Sequence, residues 1–360
     1  MINNNPVKRV FGLDVFRATA ILMVLFTHGK GLSGNAFHFM PKIPLVDGVE
    51  LFFVLSGFLI GGILINTVEQ EKRFDVKKLL IFWKRRWFRT LPTYYLVLII
   101  NIILTTTGLI SSDIKQFNFR YFIFCQNFSK GFYDFFWESW SLSVEEWFYI
   151  SMPILIYFFL RFLSVKKALL LSICILLIIP LMYRIFISNL KADPFWWDVE
   201  FRKVVLTRLD AINYGVLAAF IKFYFPHFWF KYRTWLFCLG LVLLCFPLFL
   251  TIEVNSFFFK TFYFIIISIG AMMLLPLADS IKECRYKYIG VVFTFFSKIS
   301  YSLYLLNLGV VISFITFNFE IQTTTHHVIA YYSYWFIVIV LSWFTYTYFE
   351  NPIMKLRDKY

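Results

Sequence analysis

The chain has 360 residues, of which 60% are apolar, with 48 Phe, 21 Tyr and 11 Trp and a mean hydropathy of +0.70. A soluble domain of that makeup would expose far too much apolar surface, so the composition excludes that class and points to a polytopic membrane protein. The net charge of +14 is no argument for nucleic acid, because the basic residues sit mostly in loops between apolar runs, where membrane topology places them.

Lys8 and Arg9 precede the first apolar run, and no small-residue cleavage site follows it, the pattern of a retained signal-anchor. Runs long enough to span a bilayer fall near 12–29, 47–67, 91–110, 142–162, 168–188, 204–225, 234–252, 258–279, 291–318 and 328–349. The expected fold is therefore an all-α integral membrane bundle of about ten transmembrane helices, with both termini on one side. If that side is the cytoplasm, 23 of the 35 Lys and Arg fall on inner segments and 10 on outer ones, with Arg17 and Arg208 inside spans. The positive-inside rule thus favours cytoplasmic termini. With no repeats and no low-complexity linker, residues 1–360 form a single domain with no room for a soluble one. The five cysteines (Cys125, Cys174, Cys238, Cys245, Cys284) lack metal-type spacing and are expected to be unpaired packing residues.

The first span carries Arg17 near its start and His28 near its end. An arginine in hydrocarbon costs roughly 2.5 to 3.5 kcal/mol on insertion scales, so it needs a partner or a task. Eleven helical residues separate the two side chains by ~16 Å along the axis, which could hold the charged and reactive ends of one long, thin ligand. Imidazole titrates near neutral pH and can take a proton from a hydroxyl, so His28 is either a general base or an interfacial histidine. His38 and the adjacent His326 and His327 suggest no site.

The second span holds Glu50, then Ser56-Gly57, where small side chains let a helix or a ligand approach the backbone closely. The segment 68–90 is dense in cations, and within Trp83 to Pro92 a helix would put Arg86 and Arg89 on one face, suited to bidentate phosphate binding. Anionic lipid headgroups would satisfy the same residues. The long aromatic segment 111–141 ends in Trp137-Glu138-Ser139-Trp140. Glu145 and Glu146 open the fourth span, and one of them is expected to face the bundle interior. A carboxylate at that depth could orient His28 and stabilise its imidazolium, or simply favour the helix N-terminus. In the sixth span Arg208 and Asp210 point to different helix faces, each expected to pair with a neighbouring helix.

Taken together these residues resemble the membrane acyltransferase family 3, the O-acyltransferases of bacterial surface carbohydrates. Arg17, ten residues and His28 match its Arg/Lys-x10-His motif, and Phe53 to Gly57 its Phe-x-x-Ser-Gly. Arg86-Trp87-Phe88-Arg89 matches Arg-x-x-Arg, and Trp140 to Glu145 matches Trp-Ser-Leu-x-x-Glu. Leu209-Asp210-Ala211 with Gly215, Ile299 to Leu305 and Tyr348 to Pro352 agree more weakly. Glu50 stands where the family often has Asp, and Asn307 where it commonly has His. The second departure takes a catalytic residue from the ninth helix and leaves His28 as the base.

The resemblance implies acyl transfer, acetyl by default, from cytoplasmic acyl-coenzyme A to a hydroxyl of a surface or exported carbohydrate. The coenzyme would be a co-substrate, with no permanently bound cofactor and no metal. In that scheme Arg17, Arg86 and Arg89 hold the donor's phosphates, His28 and Glu145 are catalytic, and Glu50, Ser56, Trp140 and Asp210 bind substrate or support the site. The partners are the coenzyme, the glycan and the lipid bilayer, in a bacterial cytoplasmic membrane. The competing class is a transporter or flippase for a lipid-linked sugar or anionic solute, which ten spans with buried charges would also suit.

Overall fold

The computed structural model describes residues 9–34, 48–71, 74–246 and 253–357. Among them every regular element is helical, as expected of a chain whose backbone must satisfy its own hydrogen bonds in lipid. We number the main helices α1 (Phe11–Ser33), α2 (Gly48–Glu71), α3 (Val76–Thr106), α4 (Ser139–Phe159), α5 (Val165–Ile187), α6 (Val205–Tyr224), α7 (Arg233–Cys245), α8 (Tyr263–Ser280), α9 (Lys287–Leu306) and α10 (Thr324–Thr345). Helix α9 continues through a π-helical segment (Asn307–Ile312) into Ser313–Asn318, and α10 through a second one (Tyr346–Glu350) into Asn351–Arg357.

Each of the ten expected runs has a helix, and eight of these helices are long and apolar enough to cross a membrane. The other two depart from expectation. A short helix and π turn over Pro194–Arg202 meet α6 at a bend of 67°, so the chain enters α6 through a bent pair of helices instead of a plain loop. Helix α7 has 13 residues, short of the ~20 a full span needs; the expected run extends to 252, beyond the described residues. A third difference is that α3 begins at Val76, not near 91. Asp75 caps it, accepting from the Lys78 N–H at 2.9 Å. Leu79 and Phe82 are buried, so the basic segment is itself an amphipathic helix start.

Two glycines bring α2 and α6 into backbone contact. A Cβ on Gly57 would lie 1.8 Å from the Ile212 carbonyl oxygen, and one on Gly215 2.0 Å from that of Val54. Both glycines belong to the short motifs noted above, and they serve helix packing. Beside this contact the charged pairs of α6 cross-brace the bundle. Arg208 meets Glu50 of α2 at 2.5 Å, and Asp210 meets Arg184 of α5 at 2.7 Å, with both arginine side chains fully buried.

Helix α1 runs parallel to α9, which the ends of the pair establish. Asp14 accepts from Ser297 at 2.7 Å at one end, and His28 meets Asn307 at the other. The first N–H groups of α1 go to Lys282 and Ile281 carbonyls beyond α8, and His327 of α10 reaches the Leu32 carbonyl at 2.8 Å. The outward surface is apolar, with Phe186, Trp235 and Phe336 at least 70% exposed, as a lipid-facing surface must be. His38 lies outside the described residues.

Candidate active site

At 100° per residue, the eleven steps from Arg17 to His28 turn α1 by about 20° net, so both side chains leave the same face. The lower part of that face opens on a cavity of about 90 Å³ among α1, α2, α3, α4 and α9. Arg17, Arg86 and Arg89 line it together with Ser56, Glu145, Tyr149, Ser300, Tyr301 and Tyr304. Three guanidiniums drawn from two helices therefore converge on one space. Among the described residues none of the three forms an ion pair with a carboxylate, and Arg86 Nε is buried without a hydrogen-bond partner. Arg86 otherwise lies over the Tyr149 ring, 4.8 Å from its centroid, with Nη2 donating to the Tyr149 hydroxyl at 3.3 Å. Guanidiniums gathered in a low-dielectric space without direct ion pairs have the chemistry to hold an anion.

Glu145 is the carboxylate in the cavity wall. Ser56 donates to its Oε1 at 3.2 Å and Tyr149 to its Oε2 at 2.8 Å. The expectation that Glu145 orients His28 is therefore corrected, because both carboxylate oxygens are engaged elsewhere and His28 Nδ1 lies 2.5 Å from Asn307 Oδ1. A second correction concerns the neighbouring acid. Glu146 is also turned inward, accepting from Thr90 of α3 at 2.7 Å. Two successive residues differ by 100° on a helix, and α4 is enclosed widely enough that α2 takes one acid and α3 the other.

His28 does not line the cavity. The wall between them includes Tyr304, whose hydroxyl receives from Ser141 at 2.7 Å and donates to the Glu138 carbonyl at 3.1 Å. One turn further along α9, Asn307 reaches His28. The short segment that precedes α6 carries Asp198, Arg202 and Lys203. Arg202 and Lys203 both pair with Asp198 at 2.5 Å, while Arg202 stacks over Trp140 at 5.0 Å and Lys203 over Trp137 at 4.2 Å. Trp140 thus packs against Arg202 and edge-on to Phe53, 5.6 Å between ring centroids, and is not part of the cavity lining. Glu50 and Asp210 lie in the ion pairs of α6, away from the cavity lining. Just ahead of α4, Glu138 accepts the Gly309 N–H on Oε1 at 2.8 Å. Burial pushes its carboxyl up to about 7, against the opposing pull of its backbone hydrogen bonds.

Residues 10–347 match the family of acyltransferase domains. The chain belongs to that family. Similar proteins include a peptidoglycan O-acetyltransferase OatA of Listeria monocytogenes, 28% identical over 45% of this chain and 26% of the relative. An O-acetyltransferase OatA of Staphylococcus aureus is 30% identical over 42% and 25%. A putative O-acetyltransferase of S. aureus is 28% identical over 58% of this chain and 34% of the relative. The chain thus spans only about a quarter to a third of these curated relatives. No solved structure matches it.

Within this acyltransferase domain, four residues of the site had no reading in sequence. Tyr149 follows Glu145 by four, the spacing at which helical side chains meet, and that signal was available. Tyr301 and Tyr304 stand inside a motif but carried no assigned task. Asn307 was seen only as a missing histidine.

Proposed function

We propose that this chain transfers an acyl group, acetyl by default, from acyl-coenzyme A at the cytoplasmic face to a hydroxyl of a surface or exported carbohydrate, in a bacterial cytoplasmic membrane. The observation that carries this reading is the convergence of Arg17, Arg86 and Arg89 on one cavity, ~16 Å along α1 from His28 on the same helix face. Coenzyme A is long, with phosphates at one end and the thioester at the other, and an extended pantetheine arm has about that reach. The OatA relatives, named as O-acetyltransferases and in one case as acting on peptidoglycan, support a glycan as acceptor.

In the proposed reaction His28 takes the proton of the acceptor hydroxyl as its oxygen attacks the thioester carbonyl. The tetrahedral oxyanion collapses, the carbon–sulfur bond breaks, and the coenzyme A thiolate recovers the proton from the imidazolium. Glu145, held by Ser56 and Tyr149, fixes the polar wall along which the donor lies, and Trp140 backs the acceptor end. A cavity of about 90 Å³ is well below the ~300–1,000 Å³ of ordinary ligand pockets, so donor entry requires the walls around Arg86 and Tyr149 to part.

The test is consumption of acetyl-coenzyme A by the purified protein given a glycan acceptor, with wild type compared to His28→Ala. The variant should lose at least about a hundredfold in turnover, the weight of a general base, while remaining folded in detergent. Retained turnover overturns the assignment of His28, and glycan movement across the bilayer without acetyl-coenzyme A consumption overturns the acyl-transfer reading.

A further inference from the structure

Asn307 is fully buried, at the point where α9 changes from α to π geometry. Such changes free backbone carbonyls from the regular ladder and concentrate at functional sites. Its Nδ2 donates to two of them, Leu303 at 3.0 Å and Tyr304 at 2.6 Å. Only the amide NH₂ can serve two carbonyl oxygens, because the reversed amide would press acceptor against acceptor. The side chain is therefore fixed in one orientation by its own helix, with Oδ1 aimed at α1. There it lies 2.5 Å from His28 Nδ1.

A carbonyl oxygen only accepts, so this bond requires the proton to sit on Nδ1 of the ring. In the neutral imidazole the lone pair is then on Nε2. We propose that Asn307 is a positioning residue, whose amide holds His28 as the Nδ1–H tautomer and reserves Nε2 for the proton of the acceptor hydroxyl. This rests on the reading of His28 as the base. It also reverses the meaning of the departure at position 307: a histidine there would have to keep one ring nitrogen bare to accept the same bond, whereas an amide accepts at any pH and never titrates itself. The ninth helix keeps its place in the site through a residue that orients and does not react.

The tautomer can be observed without relying on catalysis. The full-length protein, labelled with ¹⁵N-histidine and held in lipid nanodiscs, gives signals from five histidines, and that of His28 is assigned by its loss in His28→Gln. Wild type should show a protonated Nδ1 and a bare Nε2. Asn307→Leu should show a mixed or reversed tautomer. Its kcat should fall by at least about tenfold, since a misplaced imidazole proton alone disables a base, with KM for acetyl-coenzyme A within about twofold. A wild-type signal from Nε2–H overturns the proposal whatever the activity. A switched tautomer in Asn307→Leu with undiminished kcat overturns His28 as the base while leaving the Asn307 contact established. If Asn307→Leu does not fold, the wild-type spectrum alone decides the tautomer.

Discussion

The buried arginines of α6 and its neighbours and the arginines of the cavity belong to one residue type and opposite situations. Arg184 and Arg208 are fully buried and each meets a carboxylate within 2.7 Å. Arg17, Arg86 and Arg89 share a polar cavity and meet no carboxylate within ion-pair distance among the described residues. Removing charge from water is costly in both places, so the two sets differ in what offsets the cost. In the α6 braces it is offset within the protein. In the cavity no direct ion pair offsets it, and Glu145 is the carboxylate that shares the wall; on the proposed function, that difference separates structural cations from donor-binding ones.

The comparison can be broken most forcefully at the braces. Arg184→Met leaves Asp210 uncompensated in a buried setting and should destabilise the protein by about 3–5 kcal/mol. Arg184→Met with Asp210→Leu should recover most of that, as read by thermal unfolding in detergent. A single variant as stable as wild type would show that the brace is not structural. At the cavity the expectation inverts. Arg86→Ala with Arg89→Ala should leave the unfolding midpoint unchanged or higher, since mutual repulsion is relieved, while raising KM for acetyl-coenzyme A about 10- to 100-fold, the worth of one or two charge-assisted hydrogen bonds. An unchanged KM removes the cavity from donor binding.

The smallest effect concerns Glu138. Its carboxyl is raised in the folded protein to about 7, from an ordinary value near 4.3 when unfolded. The unfolded chain therefore releases this proton first as pH rises, so the contribution to stability is greatest below about pH 4 and declines up to about pH 7. Glu138→Gln should flatten the fall in unfolding midpoint between pH 5 and pH 7.5 by a few degrees relative to wild type. Parallel curves for the two proteins would mean that burial does not hold that proton.

Much of this was legible in the chain. The apolar runs gave the helices, and the two glycines of separate motifs, Gly57 and Gly215, proved to be one contact. The pairings of Arg208 and Asp210 with neighbouring helices followed from the cost of burying them alone. What was not legible depended on which helices adjoin. Topology suggested a shared depth for Glu145 and His28, and hence a pair, but Glu145 lines the cavity that His28 does not; α2 brings Ser56 to the acid and α9 brings Asn307 to the histidine. The early start of α3 escaped a hydropathy reading because its buried face is narrow, with Leu79 and Phe82 set among lysines and arginines. The bend before α6 was not legible because no residue pattern in 194–203 separates a loop from a short helix set at an angle to the next.

The π-helical turn at Asn307 has a consequence for how this part of the chain can change. Deleting one residue within 308–312 would let an unbroken α-helix form, and by local rules alone that would be an improvement. It would also rotate everything after it by about 100°, turning Ser313–Asn318 toward a different neighbour and, for a deletion at 308, carrying the Gly309 N–H away from Glu138. Length, more than residue identity, is the property held fixed here. Apolar exchanges in this stretch should be tolerated where a single-residue insertion or deletion is not.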